Sequence, residues 1–428
     1  MTCRPHRDVD IRSLLHPALL PAIVAAATIA GSPAGAQASA QTDADHYTRY
    51  ELLEPGSAKF RIIYEVTATT AGATKYFNPI RKGSVATDEA VFDRMTGAPL
   101  TFEVVSGSVA RAGGVMRADT TGEYIMVTLA RPVPTDGEGR IRIDKTYEDA
   151  RSYLAGGDSV VYTRPLGIRK NAVVLPPGYD VEAVNYPSQI LTEPDGRVSV
   201  SFINTGVGEV PFMVKGRRGA RAPGAVPSGS APSVTAGAGR ADPRLSERAH
   251  QDREIVYFLQ QPETHAFDLY HDYTESRAGV DKYLNVVRAG SRASRPSARI
   301  LDTGESLRIR TLKGSAITAA RIEIGEPVTA ATEVVVIDFA PIVAGHSARP
   351  RISETYTDPA RYLLKGDTLV WDRAFGRPAN AMVLPAGWAL SNCSVPATVS
   401  RTDDGRVRLD FVNPRNDDIS VLVTGVRR

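Results

Sequence analysis

The sequence predicts an all-β protein built from two tandem antiparallel β-sandwich domains that arose by internal duplication. Two observations lead to this fold class. The segment that begins at Thr146 matches the segment that begins at Thr355, without gaps, as far as the C-terminus. Both copies alternate apolar and polar residues with period two, and turn-forming dipeptides separate the alternating segments. We expect about nine strands in each copy, spaced as in a sandwich.

Residues 1–40 have the organisation of a secretory signal peptide. A basic start with Arg4 and Arg7 precedes an apolar run from Leu14 to Gly31, and small-residue cleavage sites follow up to Ala40. Two prolines within a short apolar run disfavour a transmembrane anchor. We therefore expect cleavage between Ala36 and Ala40, secretion to the periplasm or exterior, and no membrane span in the mature chain.

The two repeats are predicted at residues 47–216 and 254–428. Alternation is clearest from Val198 to Ile203 and from Val407 to Val412, and the segment from Arg140 to Asp144 follows the same pattern. Such strands place one face on a core and the other in water. Short helical turns are expected near Asp149 to Leu154 and Asp358 to Leu363, and the second copy carries an insertion around residues 340–350.

Residues 217–253 separate the repeats and are rich in Gly, Ala, Pro and Arg. A segment with so few large apolar side chains buries too little surface to offset its chain entropy, which predicts a disordered linker. Gly- and Ser-containing linkers act as flexible tethers. The sequence therefore predicts two autonomous domains, and it leaves open whether they pack together.

Composition excludes several function classes. The net charge of +3, from 51 basic and 48 acidic residues, argues against a nucleic-acid partner, which requires a concentrated basic face. No histidine pattern has metal-ligand spacing, and no nucleophile elbow or phosphate-binding loop is present. We expect no catalytic residues, no cofactor and no metal. Cys393 has no partner once the leader is removed, and we interpret it as a small buried hydrophobe.

The candidate site residues are polar side chains that both repeats share. They are Arg164, Arg373, Asp149, Asp358, Asp158, Asp367, Asn171 and Asn380. One interpretation is a small ligand pocket that is present twice. The favoured interpretation is structural: each arginine is held by an aspartate of its own repeat, Asp149 and Asp358 being preferred over the other pair.

A second shared pattern begins at Lys75 in the first repeat and at Lys282 in the second. In each repeat a tyrosine follows the lysine directly, an asparagine stands three residues after the lysine, and an arginine stands six residues after it. This pattern suits a basic, aromatic surface for anionic glycans. An ordinary amphipathic strand explains it as well, and is the favoured interpretation.

The run from Asp93 to Leu100, continued by the run from Gly137 to Ile143, resembles the non-catalytic β-sandwich that precedes the catalytic domain of M1-type zinc aminopeptidases. The resemblance covers about 50 residues of each repeat and consists of hairpins, which are generic elements. The sequence lacks the zinc-binding helix motif of that family. The resemblance therefore implies a fold and no activity.

The expected function is that of a secreted, non-catalytic binding or scaffolding protein of the cell envelope or exterior, with a protein or glycan as its partner. A hydrolase of peptides or polysaccharides with an unrecognised site is the alternative. A third interpretation is a subunit of an extracellular surface assembly that uses exposed sheet edges. The sequence leaves the oligomeric state open.

Overall fold

β-Strands form almost all of the regular structure in this chain. The computed structural model describes residues 39–219 and 246–428, and the all-β prediction is confirmed within them. Residues 1–38 of the expected signal peptide and residues 220–245 of the expected linker lie outside the described residues. Among the described helices, none combines the length and apolar character that crossing a membrane requires.

The first repeat has fourteen strands and one short helix. They are β1 (Asp43–Leu52), β2 (Lys59–Ala68), β3 (Lys75–Ile80), β4 (Val85–Asp93), β5 (Phe102–Ser106), α1 (Gly107–Ala112), β6 (Glu123–Thr128), β7 (Gly139–Glu148), β8 (Tyr153–Gly156), β9 (Ser159–Leu166), β10 (Lys170–Val174), β11 (Tyr179–Val184), β12 (Gln189–Thr192), β13 (Val198–Ile203) and β14 (Val210–Arg218).

The second repeat has the same elements in the same order, with one added 3-10 turn at Pro262–Thr264. They are β15 (Arg253–Leu259), β16 (Ala266–Tyr273), β17 (Lys282–Val287), β18 (Arg292–Ile300), β19 (Arg308–Lys313), α2 (Ser315–Ala319), β20 (Glu333–Asp338), β21 (Pro350–Thr357), β22 (Tyr362–Lys365), β23 (Thr368–Phe375), β24 (Ala379–Val383), β25 (Trp388–Cys393), β26 (Thr398–Arg401), β27 (Val407–Val412) and β28 (Ile419–Arg427).

Each repeat folds into three sheets with equivalent strand order. In the first repeat the orders are β12-β13-β10-β1-β2-β7-β4, β11-β14-β9-β8 and β3-β6-β5; in the second they are β26-β27-β24-β15-β16-β21-β18, β25-β28-β23-β22 and β17-β20-β19. The register repeats as well, since Phe60 lies opposite Tyr147 and Phe267 lies opposite Tyr356. This agreement in register extends the internal duplication from sequence to structure.

Three details differ from the sequence-based expectation. The fourteen strands exceed the nine predicted, partly because β10 and β24 are buried along their whole length and so show no alternation. These two strands pair in parallel with β1 and β15, so the seven-stranded sheets are mixed. Parallel partners need a long crossover, which the intervening strands supply. The predicted helical turns are wrong: Asp149 begins a tight turn, where its Oδ1 accepts from the Arg151 amide at 3.1 Å, and β8 follows directly.

The core of each repeat lies between the seven-stranded and four-stranded sheets. In the first repeat the rings of Phe60 and Tyr162 pack edge-on, with centroids 5.4 Å apart. In the second, Phe267 and Trp371 pack in the same way at 4.7 Å. Edge-on aromatic packing of this kind contributes beyond the area buried. Apolar faces of two sheets closing on each other give the sandwich arrangement.

Buried ion pairs join the two repeats. Both repeats belong to one compact unit, and Arg140 of β7 donates from Nε to Asp302 Oδ1 of the second repeat at 2.6 Å, with both side chains fully buried. Arg349 occupies the position equivalent to Arg140. Its Nε lies 3.1 Å from Glu138 Oε2, and its Nη1 lies 2.8 Å from Asp252 Oδ1. The two repeats are therefore in close contact, a point that the sequence left open.

The described end of the predicted linker is folded. Ser246 and Arg248 form hydrogen bonds with Gln189 of the first repeat, at 3.0 and 2.9 Å. The buried Arg248 guanidinium donates to the carbonyls of Gly376 and Asn413 of the second repeat, at 2.7 and 3.2 Å. This segment therefore bridges the two repeats, unlike the disordered linker that its composition predicts.

Candidate ligand cleft of the first repeat

A cleft of about 1080 Å³ opens in the first repeat beside the three-stranded sheet. Tyr50, Ile62 and Lys145 line it from β1, β2 and β7 of the seven-stranded sheet. Asn78 of β3 and Tyr124 of β6 line it from the three-stranded sheet. Alternate residues of a strand share one face, which is why these sheet positions reach one space. The volume is in the range of small-molecule sites.

Lys145 places a buried amine in the cleft. Its Nζ donates to Asn78 Oδ1 at 2.7 Å and lies 5.0 Å from the centroid of the Tyr147 ring. The residue is 5% exposed, and within the described residues it forms no ion pair with a carboxylate. Burial lowers the pKa of Lys145, and the nearby Arg164 acts in the same direction. The amide of Asn78 offers a dipole but no countercharge.

Arg164 adds a second cation, which is half-buried near the end of β9. Its Nη1 lies 3.8 Å from Asp149 Oδ2, too far for a hydrogen bond, and has no hydrogen-bond partner among the described residues. The guanidinium lies between 5.6 and 6.0 Å from the ring centroids of Tyr50, Phe60 and Tyr147. Aromatic faces stabilise the cation without forming a hydrogen bond to its Nη1.

Cations outnumber acids in the lining of this cleft by two. The cations are Arg81, Arg117, Lys145 and Arg164, and the acids are Asp43 and Glu209. Asp43 accepts a hydrogen bond from the Tyr76 hydroxyl at 2.9 Å, and Glu209 is exposed at the rim. Tyrosine rings and aliphatic side chains supply most of the remaining wall. The cleft is therefore an apolar, aromatic space with buried positive charge.

The equivalent space in the second repeat is nearly closed, with a volume of about 150 Å³. Glu354 stands where the first repeat has Lys145, and its Oε1 accepts from Asn285 Nδ2 at 2.7 Å. Arg377 and His271 stand where the first repeat has Ile168 and Tyr64, and Arg377 Nη2 donates to His271 Nδ1 at 3.1 Å. The residues of both contacts line this space. Burial raises the pKa of Glu354 to about 7.

The structure brings the shared arginines to the preferred aspartates. Arg373 Nη1 donates to Asp358 Oδ2 at 3.1 Å, closer than the Arg164–Asp149 contact. Asp158 and Asp367 lie exposed in the turns that follow β8 and β22, away from both arginines.

The two shared asparagines are buried in equivalent loops. Asn171 Nδ2 donates to the Ile168 carbonyl at 2.6 Å, and Asn380 Nδ2 donates to the Arg377 carbonyl at 2.8 Å. Both residues are at most 1% exposed, so their local contacts stay shielded from water. Their position supports the turn into the parallel strand of each repeat.

Sequence reasoning missed Lys145 and Glu354. The match between the repeats was read from Thr146 and Thr355 onwards, one residue beyond them. A search for identical residues passes over a position where the charge reverses. The available signal was that reversal, next to the asparagines of the Lys75 and Lys282 patterns.

Two further expectations concern metal and thiol chemistry. Within residues 39–219 and 246–428, no three His, Cys, Asp or Glu side chains are grouped closely enough to hold a metal ion. Cys393 is half-buried against the second core and lies 3.2 Å from the Val395 carbonyl.

Comparison with known proteins finds structural likeness only. No protein-family model matches the chain, and no curated protein sequence matches it. An aminopeptidase N family protein from Idiomarina loihiensis is 10% identical, with a TM-score of 0.25, over 40% of this chain and 29% of that one. An M1 zinc metallopeptidase from Deinococcus radiodurans is 12% identical, with a TM-score of 0.28, over 41% of this chain and 42% of that one.

Leukotriene A4 hydrolase from Saccharomyces cerevisiae is 8% identical, with a TM-score of 0.26, over 44% of this chain and 31% of that one. The chain thus spans less than half the length of each of these solved proteins. The comparison confirms the weak resemblance to M1-type proteins that the sequence predicts. Likeness at this level assigns no activity to the chain.

Proposed function

We propose that this chain is a non-catalytic binding protein of the cell envelope or exterior, and that the cleft of the first repeat binds an organic anion. The observation that carries the proposal is the buried amine of Lys145, which lies in an open cleft and has no carboxylate partner among the described residues. An isolated buried charge is unfavourable unless something compensates it. A bound anion supplies that compensation.

The lining defines the chemistry of the ligand. A carboxylate suits the cations Arg164 and Lys145 of the lining, because guanidinium and ammonium groups both donate N–H bonds to oxygen. The body of the ligand is expected to be apolar or aromatic, since Tyr50, Tyr147 and Ile62 form much of the wall. Aromatic carboxylates and acidic glycans both contain a carboxylate, and the proposal favours the former because the wall is mainly apolar.

The asymmetry between the repeats supports a role in binding. Residues that the fold requires are expected in both copies, as are Asp149 and Asp358 with their arginines. The buried lysine and the open volume occur in one copy, whereas the other copy has Glu354 and about 150 Å³. The second copy adopts the same fold with Glu354 at this position, which favours a ligand over the fold as the reason for the buried Lys145.

Isothermal titration calorimetry with phenylacetate tests the proposal, with phenylacetamide as the neutral control. We expect phenylacetate to bind and phenylacetamide to bind at least about tenfold more weakly, a difference of about 1.4 kcal/mol. Lys145→Met should abolish the preference for the anion. The matched control Glu354→Gln alters the equivalent position of the second repeat and should leave binding unchanged.

Galacturonate serves as the acidic glycan probe. If galacturonate binds more tightly than phenylacetate, the ligand is a sugar acid and not an aromatic carboxylate. Equal binding of phenylacetate to the wild-type protein and to Lys145→Met would remove the first-repeat cleft as the anion site.

A further inference from the structure

We propose that Lys145 captures carbonyl compounds that carry a carboxylate, such as 2-oxo acids and aldehyde acids, as a reversible imine in the first-repeat cleft. This inference rests on the proposed anion-binding role of that cleft. It adds a covalent step at one named atom, Lys145 Nζ. No other position in the first-repeat lining presents an amine within the described residues.

The surroundings of Lys145 ease the loss of a proton from its ammonium group, and the neutral amine formed in this way is the nucleophilic form of lysine. The group is buried and faces the cation Arg164, and these two factors together lower its pKa. Tyr147 and Glu89 act in the opposite direction, but burial is the dominant cause. A desolvated lysine beside another cation is the usual arrangement of an activated amine.

The cleft also orients an incoming carbonyl compound. Asn78 Oδ1 accepts one N–H of Lys145 and so fixes the direction of the amine. Arg164 lines the same cleft, so its guanidinium offers N–H donors to the carboxylate of the ligand. Holding the carboxylate at one point of the cleft raises the effective concentration of the carbonyl carbon near the amine.

The reaction balances without an oxidant or reductant. The nitrogen lone pair of the neutral amine attacks the carbonyl carbon and forms a carbon–nitrogen bond, and proton transfer gives a carbinolamine. Loss of the former carbonyl oxygen as water then gives the imine. Addition of water reverses both steps and releases the original carbonyl compound.

The other buried lysine of the first repeat provides an internal comparison. Lys170 is 3% exposed, but its Nζ lies 3.7 Å from Asp252 Oδ1, so it has the carboxylate partner that Lys145 lacks. The second repeat has Glu354 in place of Lys145 and therefore no equivalent amine. Selective reaction is accordingly expected at Lys145 alone.

The experiment uses the full chain with glyoxylate and sodium cyanoborohydride, which reduces an imine to a stable amine. Intact mass and peptide mapping should show one fast adduct, at Lys145, formed at least about tenfold faster than adducts on exposed lysines such as Lys82. Lys145→Arg keeps the charge and should lose the fast adduct. Phenylacetate should slow labelling of the wild-type protein by occupying the same cleft, which provides a readout that does not depend on a variant.

Acetaldehyde, which has no carboxylate, should react more slowly than glyoxylate at the same concentration. Labelling of Lys145 no faster than that of Lys82 overturns the inference. If phenylacetate binds in calorimetry while glyoxylate gives no selective adduct, the covalent step fails and the binding role remains. If neither compound engages the cleft, both proposals fail.

Discussion

Lys145 and Glu354 occupy equivalent positions in the two repeats and carry opposite charges. Each forms a hydrogen bond with an equivalent asparagine, Asn78 at 2.7 Å and Asn285 at 2.7 Å. The asparagine amide makes this exchange feasible, because its oxygen accepts from an ammonium group and its nitrogen donates to a carboxylate. The same backbone thus supports an open cationic cleft in one copy and a nearly closed, acid-containing space in the other.

Glu354 is expected to make the stability of the chain depend on pH. Burial raises its pKa from 4.5 to about 7, although Asn285, Arg377 and Arg373 oppose the shift. Between these two pH values the native state binds more protons than the unfolded state, so stability falls as the pH rises through this window. The expected loss from pH 4.5 to pH 7.5 is about 3 kcal/mol. Urea unfolding at several pH values measures it.

Glu354→Gln is the matched variant for that experiment. The neutral amide cannot ionise, so the decline in stability between pH 4.5 and pH 7.5 should be smaller by about 3 kcal/mol in the variant. Identical pH profiles for the two proteins would show that Glu354 does not titrate in this window.

Arg373 is expected to stabilise the fold more than Arg164 does. Arg373 is the one hydrogen-bond partner of the buried Asp358 carboxylate within the described residues, whereas Asp149 also accepts from Ser152 Oγ at 2.8 Å. Arg373→Ala should therefore cost about 3–5 kcal/mol by leaving a buried charge unpaired, and Arg164→Ala clearly less. Chemical denaturation of the two variants compares them. If Arg164→Ala lowers the free energy of unfolding as much as Arg373→Ala or more, the shorter Arg373–Asp358 contact is not the stronger one.

Period-two alternation was enough to predict the all-β class, and the residues that both repeats share directed attention to Asp358, which accepts from Arg373 at 3.1 Å. The same pattern failed where burial is complete. Arg140 begins an alternating segment and so was expected on the solvent face, yet it is fully buried against Asp302. The alternation of apolar and polar residues predicts which face of a single sheet is exposed to water. It does not predict that a contact between the two repeats buries that face.

The two repeats are expected to unfold together because of Asp302. Its carboxylate accepts from Arg140 of the first repeat and from the Arg349 amide of the second, at 2.6 and 3.0 Å. Asp302→Ala leaves Arg140 buried without its partner, which should cost about 3–5 kcal/mol. Differential scanning calorimetry should show one transition for the wild-type protein and two for the variant.

Asp367→Asn is the control for that measurement, because Asp367 is exposed in a turn. It should leave the single transition unchanged. Two transitions in the wild-type protein would instead favour the autonomous domains that the linker composition predicts.

Export is expected to yield a mature chain that begins near Gln41. Gln41 Oε1 accepts a hydrogen bond from the Phe77 amide at 2.9 Å, and Gln41 Nε2 donates one to the Phe77 carbonyl at 3.0 Å. The described fold therefore begins close to the predicted cleavage sites. N-terminal sequencing of protein recovered from the periplasm or medium should find a start between Gln37 and Gln41. A secreted protein that still begins at Met1 would contradict the signal peptide.

Lys145→Met is expected to make the ligand-free protein more stable while it removes anion binding. Methionine fills a similar volume without a buried charge, and substitutions of this kind stabilise by about 1–2 kcal/mol at neutral pH. The pKa of Lys145 is lowered in the native state, so the unfolded state binds more protons than the native state does. The wild-type protein therefore gains stability as the pH rises toward 10.5, the ordinary pKa of lysine. The advantage of the variant should therefore shrink between pH 7 and pH 10, as urea unfolding at both pH values would measure. A variant that is less stable than the wild-type protein at pH 7 would show that Lys145 supports the fold, and would remove the argument that it is kept for a ligand.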